Sequence, residues 1–392
     1  MRNFSIYIHI PFCEVKCGYC DFFSVARGYE DFDLQKQYVD ELIREIETRS
    51  EPYQGKKIHT LFFGGGTPSL LESKLLEKII QTLSKYFMWS SETEFTMEAN
   101  PKTVSLEKLK IIRSLGVNRL SMGVQSFEDR FLKVLGRIHS GDEAKKTIAD
   151  AYQAGFEKVN FDMIMALPGQ TFEDRKKDLE TALSFHPQHL SAYHLTIEAG
   201  TAFEKIYGKS VGAIHELPLP SEDVGVQCLT WTRDRLRAAG LPPYEISNFA
   251  KPGFECRHNQ NYWEYGEYLG CGAGAASFLK MNQLDASSKK TFAVRQTNHR
   301  DLKKYISGDW LGFSEEITHK MGMGEYCMLA LRTREGVNTQ TFEALFGQEF
   351  YQTYEKYLKK YQDQHFLIKN GHHFTLTEQG ILYADTIVSD FI

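Results

Sequence analysis

Three of the seven cysteines in this 392-residue chain crowd into one short run, Cys13-Glu-Val-Lys-Cys17-Gly-Tyr-Cys20. Thiolates at C-x3-C-x2-C spacing are ligands for soft metals. A structural zinc site needs four ligands, usually two paired sets, and Cys228, Cys256, Cys271 and Cys327 are isolated, with no second C-x-x-C. A thioredoxin-like pair leaves Cys13 without a role. Iron–sulfur clusters take thiolates, usually four. Three close cysteines can hold three irons of a cubane and leave the fourth open to an exchangeable ligand. Phe12, Tyr19, Phe22 and Phe23 surround the run, where rings shield a cluster from water and tune its potential.

More chemistry-bearing residues follow. Gly64-Gly65-Gly66-Thr67-Pro68 offers backbone N–H groups that a ligand can approach closely. Glu98 stands in Glu-Ala-Asn-Pro, Gln125 in Gly-Val-Gln-Ser-Phe, and Asp162 inside an apolar run. The elements that must position them alternate. Strands are expected at 5–10, 60–63, 94–97, 119–122, 158–165 and 189–195. Helices are expected from Leu34 to Ile46, Leu75 to Leu83, and near 105–115, 127–135, 142–154 and 171–184. Six βα units imply a parallel sheet with right-handed crossovers. Six fall short of the eight of a closed TIM barrel. The expected class is therefore α/β, an open six-unit (β/α)6 partial TIM barrel, with a doubly wound sheet as the alternative. The cysteines, the glycines, Glu98 and Gln125 all fall at C-terminal strand ends, where parallel α/β folds bind ligands.

Residues 200–300 are less regular: a helix over 222–239 and a Gly- and aromatic-rich stretch over 244–278. The remainder reads as helices around 316–332, 339–346 and 349–364, then a hairpin turning at Asn370-Gly371 and a last helix after Thr377. That order resembles a winged-helix module. The expected division is 1–200 for the barrel, 201–300 for an extension completing its side, and 301–392 for a mostly helical winged-helix-like domain.

Composition sets outer bounds. Apolar residues make up 42% and charged residues 25%, which excludes wholesale disorder. A net charge of −5 disfavours a nucleic-acid surface built on bulk charge. Residues 333–392 carry 5 Lys and Arg against 8 Asp and Glu, a net of −3, so no nucleic-acid partner is expected. No window approaches the ~18 consecutive apolar residues of a membrane helix. The N-terminus lacks the apolar core and cleavage site of a leader. A cytoplasmic location with free thiols is expected.

The cysteine run, the Gly-Gly-Gly-Thr-Pro loop, Glu98, Gln125 and Asp162 together resemble the radical S-adenosylmethionine (SAM) superfamily. Over nearly the whole chain the resemblance lies with oxygen-independent coproporphyrinogen III dehydrogenases and their relatives, the HemW haem chaperones. The resemblance implies a 4Fe–4S cluster on Cys13, Cys17 and Cys20, and SAM on Tyr7, Tyr19, Gly65, Gly66, Thr67, Glu98, Gln125, Arg137 and Asp162. It implies one-electron cleavage of the SAM sulfonium and hydrogen abstraction from a substrate. Three features separate the branches. The dehydrogenases carry a fourth cysteine where Phe22 stands here, and an extension ahead of the first strand. Tyr244-Glu-Ile-Ser-Asn-Phe-Ala and Cys256-Arg-His-Asn-Gln-Asn-Tyr-Trp263 resemble the chaperones.

The chaperone branch implies haem as a cofactor and transfer to acceptor proteins, membrane respiratory enzymes among them, with peripheral membrane contact. A flavodoxin or ferredoxin would donate electrons if SAM is cleaved. Oxidative decarboxylation of coproporphyrinogen III is the alternative activity. His258 is the candidate axial haem ligand, with Tyr262, Trp263 and Tyr265 available to a porphyrin face. Its competing role is a hydrogen-bonded brace between the extension and the barrel. Cys256 is a lesser axial option, and His9 a group behind the cluster. Gly270-Cys-Gly-Ala-Gly-Ala-Ala lacks the third glycine and βαβ context of a dinucleotide site and reads as a tight turn.

Overall fold

Apolar runs rich in Ile, Phe and Val form the strands that the alternation predicts, and they pair in chain order. The computed structural model describes residues 4–26, 30–208, 217–281 and 291–392. Met1–Asn3, part of the stretch read as leaderless, lie outside the described residues. Six strands stand parallel and consecutive: β1 Phe4–Ile10, β2 Thr60–Gly65, β3 Glu94–Ala99, β4 Arg119–Gln125, β5 Lys158–Met165 and β6 His189–His194. The sheet does not stop there. β7 Asn248–Ala250 caps the β6 edge antiparallel. β8 Glu267–Cys271 lies parallel to β1 on the other side, from Phe4↔Glu267 to Ile8↔Cys271. β9 Ala276–Lys280, β10 Thr291–Asn298 and β11 Leu311–Thr318 continue antiparallel. The result is one 11-stranded open sheet whose edges, β7 and β11, do not meet.

The parallel strands are buried on both faces, as helix-covered sheets require. On β1, Phe4, Ile6, Ile8 and Ile10 face the helical layer and pack with Tyr38, Leu42 and Ile46 of helix Phe32–Ser50. Ser5, Tyr7 and His9 face the concave side. Glu45 on the same helix is a buried junction. It accepts hydrogen bonds from Arg49 (3.0 Å), Gly272 N (2.8 Å), Asn298 (2.7 Å) and Tyr305 (2.6 Å). This one carboxylate ties the first helix to the β8–β9 turn and to β10.

The stretch 244–278, expected to be irregular, contains β7, the helix Arg257–Trp263, β8 and most of β9. The helix expected from 316 begins at His319, because Leu311–Thr318 extends along β10 instead. Thr318 caps that helix by accepting from Met321 N. Gly270–Ala276 does form a tight turn: Gly272 and Gly274 have φ +109° and +77°, and Ala275 N donates to Gly272 O at 3.0 Å.

A second core, with Tyr326, Leu331, Phe342, Phe350, Leu358 and Phe374, holds the C-terminal helices to a three-stranded sheet. Its strands are β12 Val337–Asn338, β13 Leu367–Asn370 and β14 His373–Leu376, with Gly371 in the left-handed turn. Backbone bonds from Ile246 N to Arg332 O (3.1 Å) and Arg334 N to Tyr244 O (3.0 Å) join this unit to the segment leading into β7. Among the described residues, no helix is long and apolar enough to cross a membrane.

Glu45→Ala removes the carboxylate that Arg49, Asn298 and Tyr305 share, and leaves the Tyr305 hydroxyl without its acceptor. Removing one side of a buried charged pair costs about 3–5 kcal/mol, so a large fall in the thermal unfolding midpoint is expected. An unchanged midpoint contradicts the junction role.

Candidate functional site

The cysteine loop leaves β1 at Ile10 and crosses the C-terminal ends of the strands. Two bonds clasp the glycine loop after β2 to it: Gly66 N to Ile10 O and Thr67 N to Phe12 O, both 2.8 Å. This close approach is what the glycines permit. A Cβ on Gly66 would stand 2.7 Å from Phe12 O, and Gly65, at φ +116°, would put one 2.5 Å from the His9 ring.

A cavity of about 410 Å³ opens here, within the usual size of small-molecule sites. Cys13, Cys17, Cys20, Tyr19, Gly65, Gly66, Glu98, Gln125, Arg137 and Asp162 all line it. Thr67 and Tyr7 stand just behind the wall. Thr67 Oγ1 lies 3.6 Å from Cys13 Sγ and accepts from Asn100 at 2.8 Å, which leaves its own hydrogen for the sulfur. Asn100 in turn accepts from Arg137 Nη2 (2.7 Å), and Arg137 Nη1 donates to Cys17 Sγ (3.5 Å). The Tyr7 hydroxyl meets His9 Nδ1 at 3.0 Å, and His9 Nε2 meets Phe23 O at 2.8 Å.

Burial dominates the electrostatics. It pushes the Cys13 thiol up and the Cys20 thiol up to about 11, and pulls His9 down to about 4. Glu98 rises to about 8, first from burial and then from the charge of Asp162, against the 3.0 Å bond it accepts from Gly65 N. Asp162, also raised by burial, accepts from Ser121 and Asn160 at 2.9 Å. Gln125 takes φ +64° at the end of β4, and this left-handed turn aims its amide into the cavity. Among the described residues, no three His, Cys, Asp or Glu side chains converge on a single ion.

His258 is not at the cavity. It is 1% exposed. Its Nδ1 meets Thr60 Oγ1 at 2.7 Å, its Nε2 meets the Tyr262 hydroxyl at 2.9 Å, and its ring stacks on Phe62. Both nitrogens are engaged, so in this arrangement neither is free for an axial position. The geometry is that of the brace. Tyr262 packs edge-on against Tyr268, and Tyr265 donates to Glu325.

Sequence reasoning missed Asn100, Arg119, Asn160, His189, Ser191, Tyr193 and Asn259, which also line the cavity. Period-two alternation holds the signal: Arg119, Ser121, Gly123 and Gln125 share one face of β4, and Asn160, Asp162 and Ile164 one face of β5.

The radical SAM superfamily matches residues 7–182, and the HemN C-terminal domain matches residues 317–383. The chain is 34% identical over 399 residues to the heme chaperone HemW of Haemophilus influenzae, spanning 99% of this chain and 97% of the relative. This chain belongs to the HemW family. It is likewise 34% identical to HemW of Escherichia coli and 33% identical to HemW of Bacillus subtilis, each over 99% of this chain and at least 98% of theirs. Among solved structures, the radical SAM enzyme coproporphyrinogen III oxidase (HemN) of Escherichia coli superposes with a TM-score of 0.82. The match covers 100% of this chain and 90% of that one at 24% identity. That likeness shows the shared fold, an open radical SAM α/β sheet with a HemN-type C-terminal domain.

The brace in this HemW-family member has a pH signature. Burial lowers His258 from 6.5 to about 3. The unfolded chain therefore binds the extra proton below pH 6.5, and the stabilisation is present above that value and lost as pH falls towards 3. In His258→Asn, stability against denaturant should fall less steeply between pH 6.5 and 4, by about 1.4 kcal/mol per pH unit. Identical slopes would mean that the ring is not held neutral.

Proposed function

We propose that this chain is a haem chaperone that carries a 4Fe–4S cluster and SAM and passes haem to acceptor proteins. The observation that carries the reading is the near-full-length identity to relatives named heme chaperone HemW. Phe22, 63% exposed on the cysteine loop where dehydrogenases have a further thiol, supports it.

The donor set fits the cluster. Three free thiols line one cavity wall. Thr67 and Arg137 direct donors at Cys13 and Cys17, the arrangement that a negatively charged sulfur group needs. When bound, the cluster would supply a single electron to the sulfonium of SAM. The chain's own residues do the rest. The Gly65–Gly66 backbone and the Glu98 carboxyl are placed to receive the amino-acid end of SAM. Gln125, Arg137 and Asp162 face its remaining polar groups, with Tyr7 holding the wall behind Glu98. Tyr19, packed on Phe203, closes the apolar side and limits water. The haem is assigned to the mouth of this cavity, and the acceptors are proteins that take up haem, membrane respiratory enzymes included. A cytoplasmic site of action with passing membrane contact goes with that role. A flavodoxin or ferredoxin would serve as donor for any turnover.

Anaerobic reconstitution followed by haem titration tests the reading. Saturable haem binding without decarboxylation of coproporphyrinogen III, in the presence of SAM and reductant, is the expected result. Product formation would make the chain an enzyme instead. Cys17→Ala should lose the brown cluster absorbance, and retention of full absorbance would remove Cys17 from the ligand set. His258→Ala should leave the bound-haem spectrum in place, and a lost or shifted Soret band would restore it as an axial ligand.

A further inference from the structure

The helix Arg257–Trp263 borders two cavities. Asn259 lines the one that holds the cysteines, while Gln260 and Trp263 line a second, of about 310 Å³. The second lies where the segment leading into β7 meets the C-terminal core, and Tyr244, Tyr326 and Arg334 add to its walls. Tyr244 is the partition between the two. Its hydroxyl meets His189 Nε2, on the first cavity, at 2.9 Å.

Glu264 ends the helix, lines the second cavity and stays exposed, so a ligand there can reach it. Its carboxylate has no hydrogen bond or ion pair among the described residues. The donors around it are spent on other acceptors. Tyr326 donates to Asn338 O at 3.2 Å, Thr333 to Ala330 O at 2.8 Å, and Arg334 to Glu335 at 3.2 Å. His373 is held by Glu335 O at 2.8 Å and by the Asn338 amide at 3.1 Å. Arg332 stacks on Trp263 at 5.1 Å and leans towards Glu245 at 3.8 Å. Glu255, Glu264 and Glu335 thus face the cavity against the single cation Arg334, which is already paired. Loss of water around Glu264 raises its pKa, with no cation there to oppose the shift.

We propose that this cavity binds the guanidinium of an arginine side chain, with Glu264 as its counter-charge. A metal ion is a poorer occupant, since among the described residues no three His, Cys, Asp or Glu side chains converge on one point. A guanidinium suits the walls better. It is weakly hydrated, pairs with a carboxylate through two parallel N–H donors and packs on aromatic faces such as Trp263 and Tyr326. The same group can come from free arginine or from an exposed segment of a partner protein, and the arms of the test separate the two.

The full-length chain is titrated calorimetrically with two matched pairs of probes, in the absence of haem and SAM, so the outcome is independent of the haem-chaperone reading. One pair is N-acetylargininamide and neutral N-acetylcitrullinamide. The other is the blocked peptide Gly-Gly-Arg-Gly-Gly and its glutamine counterpart. The charged member should bind about tenfold or more tightly than the neutral one, and Glu264→Gln should erase the difference. Tighter binding of the arginine peptide than of the amide assigns the site to a protein segment, and equal binding assigns it to the side chain alone. No discrimination in either pair overturns the site, and so does discrimination that persists unchanged in Glu264→Gln. Should that variant fail to fold, Glu264→Asp decides. It keeps the charge but withdraws it by one methylene, so reduced discrimination is expected and full discrimination overturns the assignment.

Discussion

A single hydrogen-bonded chain closes the top of the sheet: Cys13 Sγ to Thr67, Thr67 to Asn100, Asn100 to Arg137, and Arg137 to Cys17 Sγ. Its members follow β1, β2, β3 and β4 in turn, so the chain stitches four consecutive strand ends to two of the three thiols. Each link depends on a local feature. The glycine loop brings Thr67 against the cysteine loop. Gly136, left-handed at φ +73°, ends the helix Asp129–Leu135 and turns the chain so that Arg137 points inward. At Cys13 the Thr67 hydroxyl and the nearby Arg137 charge favour the deprotonated form that burial disfavours. Holding thiolates in a half-buried loop is therefore an electrostatic problem, and the polar chain between strand ends is the structural answer to it.

The two faces of the sheet are built from opposite chemistry. Ile, Phe, Leu and Met of the parallel strands face the helices in one apolar core. The concave face carries Tyr7, Glu98, Arg119, Gln125, Asn160, Asp162, His189 and Ser191. A closed barrel of eight strands fills its interior with packed branched side chains. Here the strands open out, the interior stays polar and hollow, and the acids inside are held at raised pKa.

The parallel half of the fold is legible in the sequence because its signals are local. Lys158–Met165 is an apolar run with sharp ends and forms a strand over that same span. The helix Glu222–Ala238 matches the expected span 222–239 within a residue, and Ser221 caps it by accepting from Val224 N. The antiparallel half is not legible. Leu311-Gly-Phe-Ser-Glu-Glu-Ile-Thr is mostly exposed, and only pairing with β10 makes it a strand. At the site, the cysteines, glycines and acids stood out by type and spacing. Asn100 and Arg119 did not, since a polar residue on a strand looks the same whether it faces solvent or a cavity. His258 attracted notice as a histidine among aromatics, yet only the structure shows both its nitrogens taken.

The placement of β1 between β2 and β8 bears on how the chain assembles during synthesis. Ser5 finds one neighbour at Thr60 but the other at Tyr268. At about 5–20 residues per second on the ribosome, the strand that leads into the cysteine loop waits roughly 10–50 seconds with one edge unpaired. Glu45 waits longer still, until Asn298 and Tyr305 emerge. The cysteine loop is thus among the first segments translated yet gains its complete scaffold only late, so a nascent chain must keep its thiols reduced and uncommitted until most of the chain has been made.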